Sequence, residues 1–70
     1  MLLIIAPMAG TVSRVLVQAG DAVTAGQDVV ILESMKMEIA VQSEVSGKVK
    51  AVKASEGAFV DEEGILLELE

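Results

Sequence analysis

Apolar residues fall into short runs along this chain, most of them closed by glycine or acidic residues. TVSRVLVQ (Thr11 to Gln18) and KVKAVKA (Lys48 to Ala54) are rich in valine, lie between glycines, and do not sustain the i, i+3, i+4, i+7 spacing of a helix. They read as strands. LLIIA (Leu2 to Ala6), DVVILE (Asp28 to Glu33), EIAVQSEV (Glu38 to Val45) and ILLELE (Ile65 to Glu70) read the same way. Short strands at Ala22/Val23 and Phe59/Val60 bring the total to about eight, enough for an all-β sandwich or flattened barrel.

The pattern also repeats. At an offset of 37, Gly10 aligns with Gly47, Val12 with Val49, Val15 with Val52, Gly20 with Gly57 and Val23 with Val60. One residue is then expected to be gained, because Gly26 matches Gly64, Val29 matches Leu67 and Ile31 matches Leu69 at an offset of 38. A solenoid needs at least about three repeats, so two copies imply one closed domain, residues 1–70, with pseudo-two-fold symmetry. In both copies the valines stand three apart, which breaks strict alternation and predicts a bulge. Gly10, Gly20, Gly47 and Gly57 are expected to serve backbone turns, and Gly26 and Gly64 to precede the last strand of each copy.

The join between the copies falls inside ILESMKMEIAV (Ile31 to Val41), which places Lys36 at the tip of a tight hairpin between Met35 and Met37. Two-residue hairpins favour Asn-Gly or Asp-Gly because both residues take positive φ, so Met-Lys is a poor local choice. Such departures from local rules concentrate at functional sites. On the bland reading Lys36 is a solubilising charge and the methionines fill gaps in the core. Three features weigh against it: the position at the midpoint of the repeat, the methionines on both sides, and the lack of competing chemistry.

Composition narrows the chemistry further. The 70 residues contain no cysteine and no histidine, which excludes disulfide staples, the common zinc sites and the familiar nucleophilic triads. Five serines have no histidine to activate them, and no phosphate-binding loop is present. Net charge is −6 and Phe59 is the only aromatic residue, which argues against nucleic acid as a partner. No apolar run is long enough to span a membrane, so a cytoplasmic protein without membrane insertion is expected. If the domain takes part in chemistry, it carries an attached group.

ESMKMEI (Glu33 to Ile39) resembles the acceptor motif of the biotinyl/lipoyl attachment domains, usually Glu-Ala-Met-Lys-Met. APMAG (Ala6 to Gly10), VQAGDAV (Val17 to Val23), Gly26-Gln27, SGKV, EGAFV and GILLEL are similar to further parts of that family, so the likeness spans nearly the whole chain. The resemblance implies a barrel-sandwich hybrid, a flattened β-barrel of two four-stranded antiparallel sheets, with the lysine on a hairpin opposite the termini. It also implies that a biotin protein ligase attaches biotin covalently to Lys36, with Met35 and Met37 as the flanking recognition pair. The chain is then a substrate and carrier rather than an enzyme. Its partners are a biotin carboxylase and a carboxyltransferase or decarboxylase, between which the arm shuttles carboxyl groups. Ser34 stands where the family most often has alanine, and the turn around Gly20 has no room for the inserted thumb of some carriers. Glu33 and Glu38 are expected to form a solvated rim around the tip, the alternative being a charge cue for a basic groove of the ligase. Two rival readings are lipoate on the same Lys36, which the paired methionines disfavour, and an unmodified structural module of a transport adaptor, in which Lys36 is replaceable.

Overall fold

Each stretch expected to be extended contains a strand in the computed structural model, which describes residues 2–70. In chain order these are β1 (Leu2–Ile5), β2 (Gly10–Val15), β3 (Ala22–Val23), β4 (Asp28–Ser34), β5 (Met37–Gln42), β6 (Gly47–Val52), β7 (Phe59–Val60) and β8 (Ile65–Leu69). Several are shorter than their apolar runs. β2 stops at Val15, although Leu16 N–H still donates to the Val29 carbonyl at 2.9 Å and Val17 is buried.

The strands form two antiparallel four-stranded sheets, ordered β1-β8-β6-β3 and β5-β4-β2-β7. Replacing every strand by its counterpart in the other half turns one order into the other, so the expected two-fold pseudosymmetry is present. The halves interlock: β1 pairs with β8, β3 with β6 and β7 with β2, all across the repeat boundary. Between the sheets lies an aliphatic core that includes Val12, Val29, Val30, Leu32, Val49, Leu66, Leu67 and Leu69, each at most 1% exposed. With no ring inside, stability rests on these branched chains, at about 1.5–3 kcal/mol for each one fully buried.

The expected bulge occurs twice. Register shifts between Val12 and Arg14 against β4, and between Val49 and Ala51 against β8. Ser13 and Lys50 are therefore the extra residues, one in each half, and each lets valines three apart, Val12 and Val15 or Val49 and Val52, pack on the core. Gly20 and Gly57 adopt φ of 95° and 88°, the left-handed turn expected of them. Their N–H groups donate to the carbonyls of Val49 and Val12, again a symmetric pair.

Two expectations are corrected. The offset never changes to 38. Gly26 N–H donates to Ser43 O and Glu63 N–H to Ala6 O, while Ser43 N–H donates to Gln27 O and Ala6 N–H to Gly64 O. These bonds equate Gly26 with Glu63 and Gln27 with Gly64, at 37 throughout. Glu63 duly takes the left-handed φ of 68° that Gly26 holds at 89°. Matching glycine to glycine misplaced the repeat because the backbone conformation persists where the residue type does not. Secondly, Gly10 and Gly47 are not left-handed turn residues; both open strands, β2 and β6. Gly10 is needed for close approach instead, since a Cβ there meets the Glu33 carbonyl oxygen at 2.8 Å.

Candidate functional site

β4 and β5 pair from Asp28↔Gln42 to Ser34↔Met37, leaving Met35 and Lys36 as a two-residue turn. Their φ values are 53° and 64°, as a type I′ turn demands. The right-handed twist of the flanking strands selects that turn even though neither residue suits it. Left-handed backbone at a residue with a Cβ costs about 1–2 kcal/mol. The hairpin therefore holds Lys36 at its apex against a local preference.

β5 runs from the apex at Met37 down to Gln42, about 17 Å at strand rise. Residues 43–46 then lead to Gly47, which lies beside Leu69 and Glu70. Leu69 in turn pairs with Leu2. Lys36 and the two ends of the described chain thus occupy opposite ends of the body, whose longest extent is 31 Å.

Met35 is 91% exposed and Met37 64% exposed. Neither fills the core, so the bland reading of these side chains fails. Lys36 is exposed, and among the described residues the single ion pair is Lys53–Glu68, at 4.0 Å. Glu33 and Glu38 face each other directly one step below the turn, and both are exposed. Glu38 accepts a hydrogen bond from the hydroxyl of the bulge residue Ser13 at 3.3 Å. Ser34 is half-buried and lies 3.5 Å from where a Cβ on Gly10 would stand. Gly10 supports the site in a way that sequence reasoning missed, because its missing side chain lets β2 approach the base of the hairpin.

The arrangement suits covalent attachment of a carboxylic acid. A primary amine stands in open solvent, free of ion pairing among the described residues, and acylation there displaces no packed side chain. Among the described residues no group of three or more acidic side chains is arranged to hold a metal. Nor is any helix of the described residues long and apolar enough to cross a membrane. Fold and site together define a small two-sheet β-barrel with an exposed lysine at the tip of a two-residue hairpin turn.

The comparisons with known proteins agree. The family model described as "Biotin-requiring enzyme" matches residues 3–69. The chain is 56% identical over 62 residues to the biotin/lipoyl attachment protein of Bacillus subtilis (strain 168), covering 89% of this chain and 85% of that protein. It is 42% identical over 66 residues to the mitochondrial methylcrotonoyl-CoA carboxylase subunit alpha of Mus musculus, covering 94% of this chain but 9% of that one. Urea carboxylase of Kluyveromyces lactis superposes over 99% of this chain and 6% of its own, with a TM-score of 0.91 at 29% identity. The chain belongs to the biotin/lipoyl attachment family, as a non-catalytic biotin carrier domain.

Proposed function

We propose that Lys36 is the residue on which biotin is carried, and that Met35 and Met37 are what the attaching ligase reads on either side of it. The observation that carries this reading is the exposed lysine at the apex of a strained two-residue turn, between two methionines that the core does not use. An ordinary lysine amine is protonated at neutral pH and cannot attack an acyl group unaided. A biotin protein ligase therefore has to remove a proton from Lys36 Nζ. The nitrogen lone pair then bonds to the activated acyl carbon, and the leaving group departs with its electron pair. The product is a neutral amide, and the positive charge at the tip is lost.

Bound biotin supplies a site that takes up and gives up a carboxyl group. The residues of this chain contribute position. The two-residue turn holds the anchor point at one end of the body, and the exposed methionines leave it sterically open. Tethering raises the effective concentration of the carried group at each site within reach. The partners in this reading are a biotin carboxylase and a carboxyltransferase or decarboxylase, working in the cytoplasm. Similarity to domains inside carboxylases supports that choice.

Co-expression with a biotin protein ligase, followed by intact mass and avidin blotting, is expected to show one adduct. Lys36→Arg should abolish it. A wild-type chain that stays unmodified defeats the proposal, and a Lys36→Arg chain that still supports the partner enzymes points to the structural-module reading. Lipoate at Lys36 gives a different added mass and no avidin signal.

A further inference from the structure

Phe59, the only aromatic residue in the chain, is 65% exposed. Cross-strand register places it at one end of a row. Glu38 of β5 faces Glu33 of β4, Glu33 faces Thr11 of β2, and Thr11 faces Phe59 of β7. Directly opposed residues share a face, and all four are exposed. The row crosses the whole outer surface of the β5-β4-β2-β7 sheet, about 14 Å from edge to edge. It begins one residue pair below Ser34 and Met37, the pair that closes the Lys36 turn.

Folding gives no reason for this row. Like charges directly opposite one another on a sheet destabilise it. No cation among the described residues pairs with Glu33 or Glu38. A large ring left in water contributes little to stability where it stands. The charge is also lopsided. The strands of this sheet hold Asp28, Glu33 and Glu38 against Arg14, whereas those of the other sheet hold Lys48 and Lys50 against Glu68. An exposed aromatic residue with acidic residues beside it, on a sheet face that no other strand covers, fits an interface of aromatic anchor and polar rim.

We infer that Phe59 anchors the docking of the enzyme that acylates Lys36, seated in an apolar socket of that partner whose Lys or Arg side chains meet Glu33 and Glu38. The inference rests on the reading of Lys36 as the acceptor. Reach selects this occupant over the enzymes that use the finished arm. An unmodified lysine extends its amine only about 6 Å from the backbone by ordinary bond lengths, so the loading enzyme must close over the turn and meet the row beside it. Once acylated, the arm carries its group well beyond the row, and later partners reach it without so close an approach.

The test is steady-state biotinylation by a bacterial biotin protein ligase that loads the wild-type chain. Phe59→Ala is expected to raise KM at least about five-fold, with kcat within about two-fold, as loss of an interface anchor does. Phe59→Leu should recover part of the loss. The pair Glu33→Gln and Glu38→Gln should flatten the fall of kcat/KM with added salt. Leu16→Ala, which removes an exposed apolar side chain outside the row, should load like wild type. Thermal melting of Phe59→Ala should match wild type, because the ring is exposed. A wild-type KM for Phe59→Ala, or an equal loss in Leu16→Ala, overturns the inference while leaving Lys36 as acceptor. A wild-type chain that no ligase loads overturns both.

Discussion

Met35 and Lys36 occupy backbone that favours glycine and asparagine, and that conflict between local preference and fold marks the site. Relieving it should separate stability from function. Met35→Asn with Lys36→Gly is expected to stabilise the domain by about 1–2 kcal/mol in thermal or urea unfolding and to abolish loading. Glu63 is strained in the same sense, with φ of 68°, but it belongs to the connection between β7 and β8 and not to the hairpin. Glu63→Gly should therefore raise stability by up to about 1 kcal/mol and leave biotinylation unchanged, read by melting and by intact mass. The first strain was legible in the sequence, as a Met-Lys pair between two strand patterns. The second was not, because glycine at 26 and at 64 invited an alignment that the hydrogen bonds contradict.

The hairpin is built by β2 as much as by its own two strands. Gly10 and Gly47 are equivalent by symmetry, yet their surroundings differ. A Cβ at Gly10 meets backbone at 2.8 Å, whereas one at Gly47 meets Leu69 and Glu70 at 3.7–3.9 Å, ordinary contact. Gly10→Ala is expected to destabilise by about 1–3 kcal/mol and to slow loading, because β2 must move away from Glu33. Gly47→Ala should be near neutral in both assays. Equal effects at the two positions would show that the close approach does not support the hairpin. The bulges at Ser13 and Lys50 were readable from valines three apart, since a bulge changes which side chains face inward. The asymmetry at the glycines was not readable, because the same residue type stands in both copies.

At the level of the whole molecule, the two halves depend on each other for every edge they complete. β1 hydrogen-bonds only to β8, and β3 only to β6, so the first half alone leaves both unpaired. A fragment of residues 1–35 is expected to be unfolded by circular dichroism, and mixing it with residues 36–70 should restore β signal if the chain break at the turn is tolerated. Leu32→Ala and Leu69→Ala, at equivalent core positions and both fully buried, should each cost about 2–5 kcal/mol. A melt in two separate steps for either variant would contradict a single interleaved core.

Strand number, the duplicated unit, the bulges and the lysine at the seam were all carried by the order of residue types. Apolar spacing dictates which side chains face inward, and a repeat dictates that this happens twice. Partner choice is a different kind of information. Ladder hydrogen bonds join backbone groups that every residue possesses, so β1 binding β8, β7 binding β2, and the row from Glu38 to Phe59 exist only once distant segments meet. The constant offset of 37, the tight fit at Gly10 and the exposure of Phe59 are consequences of that meeting, and they came from the folded chain alone.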